Sequence, residues 1–181
     1  MAIETEAKFE VTDFRGVRNA LRRAGATYRG TAVEEDVFFD TPERRLYHKG
    51  CGLRLRRVKM LRSVPGGRRS GWLLTSKGQV ERSNRVKKRQ ETQTWVADGQ
   101  AVKGILALAG MFEFVGLTKR RASYKLGRCL IELDEVPSLG FFVEIEGPTQ
   151  KAIEAARKKL QLPDEPITES YLSMVADTLA R

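Results

Sequence analysis

From residue 3 to residue 11 the chain alternates. Glu4, Glu6, Lys8 and Glu10 fall on one side, and Ile3, Thr5, Ala7, Phe9 and Val11 on the other, which is the period of a β-strand. The spacing then turns helical. Phe14, Val17, Ala20, Leu21 and Ala24 follow Asp13, a candidate N-cap, and Gly25 stops the run. Residues 28–39 return to a strand, with a break expected at Glu34-Glu35, and Asp40-Thr41-Pro42 forms a turn. In 53–58, Leu53, Leu55 and Arg57 oppose Arg54, Arg56 and Val58. A basic loop with Gly and Pro covers 61–71, and strands are expected over 72–76 and 85–96. The second of these puts Arg85, Lys87, Arg89, Glu91, Gln93 and Trp95 on one side. Asp98 caps a helix over 100–109 that ends at Gly110. Strands over 115–124, 129–136 and 141–145 are joined by tight turns at 125–128 and 137–140. Thr149 caps a helix running to Leu160, Pro163 and Pro166 interrupt the chain, and a last helix runs from Thr168-Glu169 to Ala180.

The sum is about eight strands, mostly antiparallel, with about four helices, an α+β chain. So many strands would leave long edges in one open sheet. A closed or nearly closed antiparallel eight-stranded β-barrel removes those edges. No repeat or linker divides the sequence, so 1–181 is expected to be one domain, with the helices from about 149 packing on the barrel.

Charged and apolar residues alternate in strand after strand. Glu4, Glu6 and Lys8 share a face, as do Arg54 and Arg56, Arg89 and Glu91, Lys119 and Arg121, Glu132 and Asp134, and Glu144 and Glu146. A half-exposed sheet would turn such faces to water. However, the helices carry apolar stripes of their own, Phe14/Val17/Leu21 and Ile105/Leu106/Leu108, which need a partner. If they cover the apolar outside of a barrel, the charged faces point inward. A charged interior is costly unless its groups are paired or liganded. Clustered Arg and Lys suit phosphate oxygens, and clustered carboxylates suit a hard divalent cation. Together they describe metal-dependent chemistry on a polyphosphate.

The chain has 181 residues with Lys plus Arg 33 and Asp plus Glu 23, a net charge of +10. That excess raises nucleic acid as a partner. The longest uncharged stretch, 104–112, is too short to span a bilayer. The N-terminus has neither the basic nor the apolar region of a secretory signal, so a cytoplasmic location is expected. Two cysteines, Cys51 and Cys129, exclude a disulfide scaffold. The single histidine, His48, excludes His-rich zinc and leaves carboxylate-held Mg²⁺ or Mn²⁺. His48 reads as a loop residue, Cys129 as a buried strand residue, Trp72 and Trp95 as packing residues, and Arg85 and Lys87 as strand-end or exposed charges.

The motifs, in order, resemble the CYTH superfamily, the triphosphate tunnel metalloenzymes. Glu4-Thr5-Glu6-Ala7-Lys8 resembles the family's ExExK strand, and Asp36-Val37-Phe38-Phe39-Asp40 followed by Leu53-Arg54-Leu55-Arg56 its aromatic and LRxR strands. Leu74-Thr75-Ser76-Lys77-Gly78, Arg89-Gln90-Glu91 and Lys119-Arg120-Arg121 with Tyr124 are similar to its LTxKG, RxE and KxRxxY strands. Leu133-Asp134, Leu139-Gly140 and Phe142-Val143-Glu144-Ile145-Glu146 resemble the closing run, and Ser170-Tyr171-Leu172 the last helix. The likeness is greatest to the bacterial class IV adenylyl cyclase-like and thiamine triphosphatase-like branch. Two departures are Gln93, where many relatives keep an acid, and the basic loop.

The resemblance implies a barrel tunnel that binds a triphosphate. Glu4, Glu6, Glu144 and Glu146 would hold Mg²⁺ or Mn²⁺, with Glu91 and Asp134 completing or orienting the set. Lys8, Arg54, Arg56, Lys77, Arg89, Lys119 and Arg121 would bind the phosphates, with Lys8, Arg56 and Lys77 catalytic. The expected activity is hydrolysis of inorganic triphosphate or a small organic triphosphate such as thiamine triphosphate or ATP. The alternative is a class IV adenylyl cyclase making cyclic AMP and pyrophosphate. A third, non-enzymatic alternative is a nucleic-acid or polyphosphate binder using the basic loop Arg62, Arg68 and Arg69 and the run Arg85, Lys87, Lys88 and Arg89. Nucleic acid is disfavoured because ordered strand carboxylates repel its backbone. No membrane partner is expected, and a homodimer is left open.

Overall fold

The computed structural model describes residues 2–82 and 86–179, with side chains except at 2, 82 and 177–179. The strands are β1 (Ala2–Val11), β2 (Thr27–Asp40), β3 (Gly52–Arg62), β4 (Gly71–Lys77), β5 (Glu81–Arg82), β6 (Lys87–Val96), β7 (Phe112–Leu126), β8 (Cys129–Val136) and β9 (Gly140–Glu146). The helices are α1 (Arg15–Arg23), α2 (Arg45–His48), α3 (Gly99–Leu108), α4 (Gln150–Leu160) and α5 (Tyr171–Leu179). The sheet runs β1-β9-β8-β7-β2-β3-β4-β6-β5, and β1 also pairs with β6. That last pairing, with Glu4 opposite Arg89 and Glu6 opposite Lys87, closes an antiparallel eight-stranded barrel. β5 is a short addition on β6. No helix among the described residues is long and apolar enough to cross a membrane.

Which face points inward follows from where the helices sit. Val17, Ala20 and Leu21 of α1 and Ile153, Ala156 and Leu160 of α4 form one buried cluster with Phe9, Ile131, Leu133, Val143 and Ile145. Those strand residues are the apolar parity of β1, β8 and β9. With two helices covering that face outside, period-two geometry turns Glu4, Glu6, Lys8, Glu132, Asp134, Glu144 and Glu146 to the lumen side. Burying the apolar side chains outside stabilises the closed sheet by roughly 1.5–3 kcal/mol each. α3 is the exception: Ile105 and Leu108 are exposed, so these two positions of its stripe have no cover among the described residues.

Several local expectations need correction. The break at Glu34-Glu35 does not exist; β2 is continuous. Its buried positions are Gly30, Ala32, Glu34, Asp36, Phe38, Phe39 and Asp40, so Glu34 and Asp36 face in, while Glu35 faces out and meets Lys59. Asp13 does not cap α1 as N-cap; that position is Phe14, and Asp13 Oδ1 accepts from Arg15 N at 2.6 Å. Asp40 does more than turn the chain. It is buried, and its carboxylate accepts from Thr41 N at 2.7 Å, Leu46 N at 2.9 Å and Tyr47 N at 2.8 Å, which organises the unforeseen short helix α2. The basic loop is shorter than expected because β3 runs on to Arg62. Arg85 lies outside the described residues. α5 begins at Tyr171, later than Thr168.

Candidate functional site in the barrel lumen

The inward strand faces enclose a cavity of about 810 Å³. Glu4, Glu6, Lys8, Arg54, Arg56, Lys77, Arg89, Glu91, Lys119, Arg121, Glu144 and Glu146 all line it. Of the residues singled out by sequence, Asp134 stands behind this wall, fully buried.

The deepest part is a tightly paired network. Arg56 forks onto Asp36, Nε to Oδ1 at 2.5 Å and Nη2 to Oδ2 at 2.7 Å, while its Nη1 lies 2.7 Å from Glu34 Oε2. Arg121 donates to Asp134, Glu132 and Glu144. Lys119 Nζ donates to Asp134 Oδ2 at 2.8 Å. Burial alone would raise Glu34, but Arg56, Arg121, Arg68 and Lys119 hold it well below the usual carboxylate range. Two buried arginines therefore stand fixed by charge-assisted forks.

The other charges are less satisfied. Arg54 Nη2 donates to Thr75 Oγ1 at 3.4 Å and Nη1 lies 3.7 Å from Asp36, but its buried Nε has no hydrogen-bond partner. Burial first, and then the neighbouring Arg56, push its pKa down. Arg89 Nε is also without a hydrogen bond, lying 3.2 Å from Glu91 and 3.6 Å from Glu4. Lys77 donates to Glu91 and lies 3.5 Å from Glu4. Spare donors on buried cations are what a polyanion would take up.

The carboxylates at the other side of the lumen are crowded by their own kind. Glu146 makes no ion pair among the described residues. Loss of water, then the charges of Glu4, Glu132, Glu6 and Glu91, push its pKa up to about 7. Burial likewise raises Glu4, whose buried Oε2 accepts no hydrogen bond. Among the described residues no three acids converge into a ready coordination sphere. The donor set is nevertheless all oxygen, and Glu4 and Glu146 are under-neutralised, which fits a hard divalent cation, whereas Glu144 is held by Arg121 and Lys8.

Sequence reasoning missed several of these residues. Glu34 and Asp36 sit on the inward parity of β2, a signal hidden by the assumed break. Glu132 shares the face of Asp134 and was left without a role; Ser123 Oγ donates to its Oε1 at 3.2 Å. Lys87, expected to be a strand-end or exposed charge, begins β6 but is buried and donates to Glu169 O at 2.8 Å. Arg68, assigned to a solvated loop, reaches the lumen. Tyr171 of α5 enters the end of the barrel, where Lys8 Nζ lies 3.6 Å from its ring centre. That is a cation–π contact. Lys8 itself, lowered to about 8 by burial, donates to Glu169 O at 3.0 Å. His48, expected in a loop, ends α2 and lines the cavity beside Tyr47 and Cys51.

Comparison with known proteins places this geometry. The model of the CYTH domain family matches residues 2–171. A protein of Methanocaldococcus jannaschii, provisionally named an adenylate cyclase, is 25% identical over 145 residues, 80% of this chain and 76% of its own length. A solved structure from Pyrococcus horikoshii superposes with a TM-score of 0.79 at 25% identity, covering 97% of this chain and 99% of that one. A Hippeastrum protein superposes with a TM-score of 0.75 at 18% identity, covering 97% and 96%. It is provisionally named an adenylyl cyclase and is described as having a dominant triphosphatase activity.

Proposed function

The chain belongs to the CYTH domain family, and from that footing we propose that it hydrolyses inorganic triphosphate or a small organic triphosphate, such as thiamine triphosphate or a nucleoside triphosphate, held in the barrel lumen with a divalent cation. The observation that carries this is the juxtaposition in one lumen of buried cations with spare donors and crowded, under-neutralised carboxylates. Neither set is stable alone; an anion bearing a divalent cation satisfies both.

Arg54, Arg89 and Lys77 take phosphate oxygens through the donors that the fold leaves free, and Lys8, Arg56, Lys119 and Arg121 supply fixed positive charge around them. Glu4, Glu6, Glu144 and Glu146 would hold Mg²⁺ or Mn²⁺, with Glu91 orienting Lys77 and Arg89, and Asp134 orienting Lys119 and Arg121. A bound divalent cation would neutralise charge on the phosphate oxygens as a bond to phosphorus breaks. Lys8, Arg56 and Lys77 stabilise the same developing charge electrostatically, and they are positioned before reaction, so no reorganisation is spent on it.

A hydrolase requires a phosphate grip and water; it requires no base pocket. The Hippeastrum protein supports that choice, since its adenylyl cyclase name accompanies a dominant triphosphatase activity. A cyclase reaction, in which the ribose 3′-hydroxyl attacks the α-phosphorus of ATP, has one observation in its favour: α2 brings Tyr47 and His48 to the lumen, where a ring could rest. The test offers purified protein tripolyphosphate, thiamine triphosphate and ATP with Mg²⁺ or Mn²⁺, and quantifies orthophosphate, pyrophosphate and cyclic AMP. Orthophosphate release without cyclic AMP is expected. Cyclic AMP with equimolar pyrophosphate from ATP would replace hydrolysis by the cyclase reaction.

A further inference from the structure

The connection between β3 and β4 is seated on the barrel rather than adrift in solvent. Arg29 Nη2 donates to Gly66 O, and Met60 N donates to Ser70 Oγ at 3.0 Å. Gly67 lies so close to β2 that a Cβ there would stand 2.6 Å from Arg29 O. Gly30, with φ of +127°, lets Arg62 O approach to where a Cβ would stand 2.9 Å away. Both close approaches are to backbone, which cannot give way as a flexible side chain can.

From this seat Arg68 turns inward. Its Nη1 lies 2.5 Å from Glu34 Oε1 and 3.5 Å from Glu132 Oε1. Glu34 is on β2 and Glu132 on β8, with β7 between them, while Arg68 comes from beyond β2, between β3 and β4. A guanidinium that meets both acids reaches over β3 and β2 to the β7 stretch of the lumen, where Arg121 meets the same two acids. Its loop sits against the start of β2, at Arg29 and Gly30, away from α2, and the side chain reaches Glu34 midway along the strand.

The contact is close but not committed. Arg68 Nη1 and both Glu34 oxygens lack hydrogen-bond geometry. Glu34 also faces Arg56 at 2.7 Å and Lys119 and Arg121 at 3.7 Å, so Arg68 is one of four cations around it. The Arg68 side chain is 26% exposed, against 0% for Glu34. A partly exposed cation that shares Glu34 with three others and lines the cavity together with Gly66 and Gly67 of its own loop is available to a ligand. The terminal phosphoryl of a linear polyphosphate carries more charge and more free oxygens than a bridging one, and a planar fork suits it best.

We propose that Arg68 is the end stop of the tunnel: it grips the terminal phosphoryl of a triphosphate and excludes longer linear polyphosphates, which would have to displace it. This rests on the triphosphate reading of the lumen. The test measures binding and turnover of tripolyphosphate, tetrapolyphosphate and a longer linear polyphosphate, with Mg²⁺ or Mn²⁺, for the wild type, Arg68→Ala and Arg68→Lys. The wild type is expected to prefer tripolyphosphate. In Arg68→Ala the ratio of longer-chain to tripolyphosphate affinity should rise by about tenfold or more, the scale of one charge-assisted hydrogen bond. Arg68→Lys, shorter and without the fork, should also admit longer chains while keeping more affinity for tripolyphosphate. A ratio unchanged in Arg68→Ala, or a wild type that accepts long chains equally, overturns the end stop alone. A wild type that binds no tripolyphosphate overturns the triphosphate reading and the end stop with it.

Discussion

The Tyr171 hydroxyl donates to Asp134 Oδ2 across 3.0 Å, joining the first residue of α5 to a fully buried carboxylate of the barrel wall. Asp134 is also held by Lys119 and Arg121, so the C-terminal helix is bonded to two cations of the lumen through one shared acid. Tyr171→Phe removes one donor from a buried carboxylate and should cost about 1–3 kcal/mol of stability. Chemical denaturation checks this; an unchanged midpoint would show that α5 is not anchored through Asp134.

Arg56 is expected to be a structural cation as much as a ligand. Its fork is taken up by Asp36 and Glu34, both essentially unexposed. Arg56→Ala leaves two buried acids short of a partner and should destabilise the fold by about 3–5 kcal/mol. Arg56→Lys should recover only part of that, because an ammonium cannot make both bonds to Asp36. Thermal unfolding of both variants, free of ligand, reads the difference directly.

Glu146 gives the metal-free protein a pH dependence of defined sign. Its folded pKa of about 7 lies above the ordinary value of 4.5, so the folded state keeps a proton that the unfolded state releases. Its contribution is complete below the unfolded value and is lost as pH rises from there to about 7. Stability measured in a chelator should decline over that window, and Glu146→Gln should remove the decline. A variant that declines as steeply as the wild type would place the titration elsewhere.

Divalent cation should reverse the same effect. Mg²⁺ or Mn²⁺ at the Glu4, Glu6, Glu144 and Glu146 cluster should raise the melting temperature, and go on raising it with the logarithm of the cation concentration above its Kd. Glu6→Gln should lose that shift together with turnover, while remaining folded. Exhaustive chelation that leaves tripolyphosphate turnover intact would remove the metal from the account.

Much of the barrel was legible because its strands alternate strictly and its turns are short. The inward direction of the charges was legible only by combining two patterns: the apolar parity of β1, β8 and β9, and the stripes of α1 and α4 that must cover it. What stayed hidden depended on contacts between distant segments. Glu34 looked like a strand break because its neutralising partners, Arg56 and Arg121, lie on other strands. Arg68 looked solvated because nothing local shows that Gly67 and Gly30 let its loop settle against β2. Lys87 is legible as a strand-end charge, but its burial is not, because its acceptor, Glu169 O, is far along the chain. Asp40 looked like an ordinary turn residue because capping is a matter of where three backbone N–H groups point.

The most direct test of the inward-facing lumen is a calorimetric titration of tripolyphosphate, with Mg²⁺, into the wild type, Arg54→Ala and a variant with Arg15, Arg18 and Arg22 of α1 replaced by Ala. Arg54 has a buried Nε without a hydrogen bond and a pKa depressed by burial, so the fold leaves one of its donors unused. The α1 arginines are exposed on the barrel's outside. The account predicts that Arg54→Ala weakens binding about ten- to hundredfold, the scale of one charge-assisted bond to phosphate. It predicts that the α1 variant changes affinity little, and only at low salt. Affinity lost in the α1 variant and kept in Arg54→Ala would mean that the anion binds outside the barrel, which would contradict the lumen as the site.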